Sequence, residues 1–168
     1  READEVLRVC KGAMLTIKDG LICANAGADL SNSPSGKAIL MPVDANKSAR
    51  EVRRALETGS GARLGVIISD SVVHPLKLGT VGQAIGTAGI EPVIDCRGQL
   101  DLYKKPLKIT FRAIADQLAS AAEAVMGEAG ERIPAAVIRD AGIKLVDKPG
   151  LSSKITREKC IYYGGAKL

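Results

Sequence analysis

The apolar positions of this chain fall into short runs divided by turn-forming residues, and the period of each run predicts an element. Residues 2–10 read as the end of an amphipathic helix. The chain opens without an initiator Met or a cap, which suggests a fragment, a processed chain or a missing amino-terminal segment. Met14 to Lys18 and Leu21 to Asn25 flank Asp19-Gly20, two residues that tolerate positive φ and so predict a tight hairpin. The polar loop AGADLSNSPSG runs from Ala26 to Gly36, and Lys37 to Val43 reads as a strand. Asp44 is placed to cap a helix reaching about Leu56, with Val52, Ala55 and Leu56 on one side and Arg50, Arg53 and Arg54 mostly off it. The turn GSGA at 59–62 closes that unit.

Leu64 to Ser69 is a continuous apolar run, the mark of a strand buried on both faces, and it ends abruptly at Asp70-Ser71. A stretch rich in Gly and small residues follows at 79–90, then short apolar runs at 92–94 and from Pro106 to Thr110. Arg112 to Met126 carries helical spacing and stops at Gly127, as helices often do. Pro134 to Ile138 reads as a last buried strand. These elements predict a mixed α/β (α+β) fold, a mixed sheet with packed helices, forming one unit over 1–168 with an irregular tail at 142–168.

Composition narrows the chemistry. Apolar residues make up 46% of the chain and charged residues 26%, so a packed core is expected and disorder is not. With one Phe, three Tyr and no Trp, that core must be built from Val, Ile, Leu and Ala. No run approaches the roughly 18 uninterrupted apolar residues of a membrane span. Cys10, Cys23, Cys96 and Cys160 form no C-x-x-C pair, which disfavours zinc and thioredoxin-type chemistry. Free thiols without a secretory leader fit a cytoplasmic protein. The one histidine, His74, excludes a His-rich metal site. A net charge of +5 is spread along the chain without stacking aromatics, which argues against nucleic acid and leaves an anionic small molecule or a plain solvated surface.

Three clusters carry candidate chemistry. Asp70-Ser71, read as the carboxyl end of a buried strand, offers a carboxylate and a hydroxyl where α/β sheets open their crevices; a solvated Asp capping the next turn explains it equally simply. The loop Asn25 to Asn32 gathers Asn25, Asp29, Ser31 and Asn32 around Gly27, either for an ion or to satisfy its own backbone. Met126-Gly127-Glu128-Ala129-Gly130 ends the Ala-rich helix, and Glu128 could reach a metal or be a mere helix end. Every donor is an oxygen, so the ion favoured is Mg²⁺ or Mn²⁺. A P-loop fold is disfavoured by the absence of G-x-x-x-x-G-K-[ST], and a Rossmann fold by the absence of G-x-G-x-x-G after a strand.

The runs DGLICANAGADLSN, IISDS, AIGTAGI, CRGQLDLY and ADQLASAAEAVMGEAGERIPAAVIRD, in that order over about residues 1–140, resemble the coenzyme F-420-0:γ-glutamyl ligase family. Beside that family the chain looks like the central and carboxyl-terminal part, without the amino-terminal portion. The resemblance implies a GTP-dependent amide ligase: the precursor carboxylate is activated as an acyl phosphate and the amino group of L-glutamate displaces phosphate. It also implies two Mg²⁺ or Mn²⁺ ions, a possible place for K⁺, and a homodimer without membrane or nucleic-acid partners. Carried over, Asp29 and Asp70 resemble ligands of one ion, and Ser71 and Glu128 ligands of a second. Asn32 and the segment Met126, Gly127, Glu128, Ala129, Gly130, Glu131, Arg132, Ile133 resemble GTP contacts. No residue is singled out as a catalytic acid, base or nucleophile.

The departures lie elsewhere. VVHPLKLGTVGQ (72–83) differs from the family's usual segment, with His74 and Lys77 in place of arginines and Gly82 in place of an acid. Lys keeps the charge but not the bidentate fork of Arg. Lys104-Lys105 replaces a Gly-Arg pair. Phosphate and metal handling is therefore expected to be retained and the acceptor surface altered. The alternatives are a non-catalytic nucleotide- or metal-binding homologue and a ligase for a different carboxylate.

Overall fold

The computed structural model of the protein describes residues 1–163. The chain divides into two compact units: Arg1–Val43 with the segment beginning at Lys154, and Asp44–Ser153.

The first unit is an antiparallel meander of β1 (Glu5–Cys10), β2 (Ala13–Lys18) and β3 (Leu21–Ala24). The expected helix over 2–10 is thus a strand. Its i, i+3 apolar spacing is equally compatible with an edge strand carrying a bulge, which lies between Val6 and Arg8, and pairing with β2 decides the outcome. Asp19 and Gly20 both have positive φ (50° and 73°), the tight hairpin turn the sequence announced. The expected strand at 37–43 is reduced to one bridge, Asp29 to Ile39. Lys154 Nζ donates to the Asp19 carbonyl (2.7 Å) and Arg157 pairs with Glu5 (2.8 Å), tying the later segment to the meander.

The second unit begins with α1 (Ala45–Ser60), whose first turn is capped by Asp44 accepting the Lys47 N–H (2.8 Å) and whose end is closed by Gly61 in the left-handed region. The packed stripe of α1 is not the apolar one expected. Val52 and Leu56 are exposed, while Ala49 is buried and Arg53 lies low on the helix, bonded to Glu57, the Leu64 carbonyl and Asp147. Pairing with two carboxylates makes a sheltered guanidinium tolerable there.

β4 (Val66–Val73) and β5 (Thr80–Ala88) form an antiparallel ribbon. A bulge follows Ile68. Helix α2 (Ile114–Met126) packs on β5, and the core is assembled from Ala84, Ile90, Ala115 and Ala119, with Ile67, Ile143 and Leu145 against it. Small residues make this approach possible. A Cβ on Gly82 would lie 2.5 Å from the Ala119 carbonyl, and one on Gly86 would strike the Ala45 backbone. Backbone groups of β5 are taken up by the helices: Asp116 accepts from Ala84 N–H (2.9 Å), Ser120 donates to the Gly82 carbonyl (2.8 Å), and Asn46 accepts from Thr87 N–H (2.9 Å). A two-stranded ribbon alone would be marginal, so these bonds make helices and ribbon one structure.

β6 (Ile94–Asp95) pairs with β7 (Phe111–Arg112) at the base of an excursion in which Arg97 lies over the Phe111 ring. The expected strand at 106–110 contributes a single bridge, Leu100 to Pro106. The expected buried strand at 134–138 is neither: the segment is irregular, with Val137 exposed, because Pro134 lacks a donor and no ladder forms among the described residues. Overall the fold is mixed helix and sheet, as its patterning predicts, with every described strand pairing antiparallel.

Candidate functional site

In the first unit, a left-handed turn at Asn25, Ala26 and Gly27 delivers the chain to Asp29. Asp29 is held by its backbone, which exchanges two hydrogen bonds with Ile39 (2.9 and 2.8 Å). Its carboxylate accepts the Ser31 N–H (2.8 Å) and the Ser31 hydroxyl (2.6 Å). Those bonds, the hydroxyl's first, hold the acid below its ordinary pKa. Asp29 is therefore ionised at neutral pH, and a carboxylate with about four acceptor directions keeps room for a cation beside two such bonds. Asn32 follows with φ 50°.

In the second unit, Asp70 is not at a strand end. β4 continues through Val73, with Asp70 opposite Gln83 and Ser71 opposite Gly82. The sequence reading stopped at Ser69 because the apolar run stops there, but the ladder carries polar residues across. Side chains alternate along a strand, and cross-strand neighbours share a face. Ser71 therefore shares the face on which Gly82 meets α2, while Asp70, whose Oδ1 accepts the Ser71 N–H (3.0 Å), projects from the other.

Glu128 stands just past the carboxyl end of α2, where Gly127 leaves the helix with φ 76°. The Thr80 hydroxyl donates to its Oε1 (3.1 Å). Beside it is Glu123, which the sequence reading missed. Burial first, then Glu128, then Asp70 push its carboxyl up to about 7, with Thr80 pulling the other way. Its Oε2 is fully enclosed against Gly82 and has no hydrogen-bond partner. The signal was present: Glu123 lies one helical turn from Ala119, on a stripe otherwise made of small core residues.

The following loop is exposed. Glu131 folds back over Gly127 and accepts the Ala129 N–H (2.7 Å), and Arg132 has φ 59°. Met126 is the last residue of α2, Gly130 lies in the bend that follows, and Ile133 is exposed. The altered 72–83 segment spans the end of β4, the hairpin tip at 74–79 and the start of β5; at the tip His74 and Lys77 are exposed and Leu76 and Leu78 stand fully in solvent.

A divalent cation suits what is present. Two carboxylates and two hydroxyls, all hard oxygens, share the helix-facing side of the ribbon, at the negative end of the α2 dipole. An enclosed carboxylate oxygen without a partner is costly unless something positive offsets it. Among the described residues, however, no three His, Cys, Asp or Glu side chains are grouped to hold an ion by themselves. Thr80 and Ser71 would have to contribute. All four cysteines are free, and no described helix is long and apolar enough to cross a membrane.

The family model for F420-0:gamma-glutamyl ligase matches residues 1–140. The chain belongs to that family. A coenzyme F420:L-glutamate ligase of Methanopyrus kandleri is 48% identical over 140 residues, covering 83% of this chain and 56% of the relative. Its counterpart from Methanocaldococcus jannaschii is 48% identical over 143 residues, with 84% and 57% covered. That from Methanothermobacter thermautotrophicus is 40% identical over 158 residues, with 88% and 63% covered. This F420-0:gamma-glutamyl ligase family chain thus spans a little over half the length of the curated relatives it matches.

Proposed function

We propose that the protein is, or is the larger part of, a GTP-dependent ligase that joins L-glutamate to the coenzyme F-420 precursor in the cytoplasm, acting as a homodimer. The supporting observation in the structure is the strained acidic face: Glu123 and Glu128 pressed together at the negative end of α2, with Thr80 beside them and Ser71 opposite Gly82 on the neighbouring strand. Ser71 and Glu128 would hold one Mg²⁺ or Mn²⁺, with Glu123 alongside; Asp29 and Asp70 would each serve as a carboxylate ligand of a divalent ion. Bound there, such ions would neutralise phosphate charge.

The protein's own groups then do the orienting. Backbone and side-chain donors of 126–133 grip the GTP phosphates, so that the precursor carboxylate meets the γ-phosphorus in line, and Asn32 is a separate candidate nucleotide contact. The carboxylate oxygen attacks phosphorus, the bond to the β-phosphate oxygen breaks, and GDP leaves. The glutamate amine then attacks the acyl carbon, phosphate departs, and the amine proton passes to solvent or a nearby carboxylate. K⁺ would serve only as a further counter-charge.

A second reading, a ligase for another carboxylate or a binding homologue without turnover, is favoured by one feature. The tip at 74–79 presents two leucines around one lysine where the family's usual segment is richer in arginine. Full-length protein, GTP, Mn²⁺, L-glutamate and precursor, followed by mass spectrometry, separate the readings. A glutamylated product supports the first. GTP binding with no product from this or related carboxylates supports the second.

A further inference from the structure

The loop that carries Asp29 and Asn32 is entered through three consecutive residues in the left-handed region: Asn25 (φ 51°), Ala26 (φ 56°) and Gly27 (φ 68°). Glycine adopts this backbone freely and asparagine tolerates it, but alanine is disfavoured there. Such a turn persists only where its surroundings hold it. Two ties from β2 do so. The Met14 N–H donates to Asn25 Oδ1 (2.9 Å). The second tie is Thr16, a polar residue only 1% exposed, whose hydroxyl donates to the Cys23 carbonyl (2.8 Å) and accepts the N–H of Ala26 (2.8 Å). Ala26 is itself buried, so without Thr16 its N–H would be stranded away from water. On the far side, Gly27 packs against Met41, and Asp29 is pinned to Ile39. The direction in which Asp29 leaves the turn is thereby fixed at both ends.

We propose that Thr16 is a positioning residue: through the Ala26 N–H its buried hydroxyl sets the left-handed turn, and through that turn it fixes Asp29 and Asn32 for metal and nucleotide. The proposal rests on the ligase reading for what Asp29 and Asn32 hold. Thr16 touches no substrate.

The test compares T16V, which keeps the shape and removes every hydrogen bond of the hydroxyl, with T16S, which keeps the hydroxyl, in the full-length protein below the melting point of each. T16V should raise the apparent constants for Mn²⁺ and GTP by roughly tenfold or more, with a smaller change in kcat, and T16S should restore them. T16V with unchanged constants in a folded protein overturns the proposal. A second measurement needs no activity: in the metal-free chain, amide exchange at Ala26 and Ser31 should quicken in T16V, return to normal in T16S, and remain unchanged in the β1–β2 ladder. Equal exchange in all three overturns the proposal too. Should wild-type protein neither turn over nor bind GTP, the ligase reading fails, while exchange still decides whether Thr16 sets the turn.

Discussion

The two acidic regions handle negative charge in opposite ways. Asp29 satisfies itself locally: Ser31, two residues on, supplies both donors, and the acid is held ionised. Glu123 and Glu128 have the Thr80 hydroxyl between them, and Glu128 raises the proton affinity of the largely enclosed Glu123. The first is stable as it stands; the second is a charge conflict built into the fold. Local satisfaction positions a ligand group, whereas unresolved repulsion is what a cation relieves. The difference teaches that a carboxylate's surroundings, more than its presence in a motif, indicate whether it waits for an ion.

The largest effect should come from removing charge on the conflicted side. Glu128→Ala should lower metal-dependent ligation by about 10²–10³-fold, read by product formation, with the fold retained by circular dichroism. Full activity would shift the phosphate site away from α2. Next comes the spacing beneath it. Gly82→Ala puts a methyl group against the Ala119 carbonyl and Glu123 Oε2, and should cost about 1–3 kcal/mol in urea unfolding.

The pH dependence of Glu123 gives the third. Its carboxyl, raised to about 7, is neutral in folded and unfolded chains alike in strong acid. As pH rises from its ordinary value of 4.5 to about 7, the unfolded chain loses the proton first, so stability falls across that window. Glu123→Gln should therefore match wild type near pH 4 and exceed it at pH 8 by about 1–2 kcal/mol in metal-free calorimetry, after allowance for solvent screening. Saturating Mn²⁺ should narrow or reverse that gap. An equal gap at both pH values would mean that charge is not the cause. Smallest of all, Ser31→Ala should change stability by less than about 0.5 kcal/mol, since the Asp29 loop is solvated. It should nonetheless raise the Asp29 pKa, visible in a carboxyl titration by NMR.

The local turns and caps of the fold were legible in the sequence. Asp44 as a cap, Asp19-Gly20 as a turn and the arrest of α2 at Gly127 are local decisions, made by residues within a few positions of each other. What was not legible is set by contacts across the chain. Residues 5–10 form a strand because β2 offers a ladder, and Arg53 is sheltered because Asp147, 94 residues away, meets it. Ser71 and Glu128 stood out in the sequence as candidate oxygen donors. Glu123 became a candidate only when α2 was laid on Gly82, because its environment comes from a strand 41 residues earlier in the chain and not from its neighbours in sequence.

Gly82, Ala84 and Gly86 present little more than hydrogen and methyl to the helices. The gap between β5 and α2 is consequently gauged by main chain against main chain, not by bulky side chains that can change rotamer. A ruler of that kind does not stretch. Thr80 at one end of the strand and Glu128 at the end of the helix thus keep a separation that thermal rearrangement of side chains elsewhere in the interior leaves largely untouched.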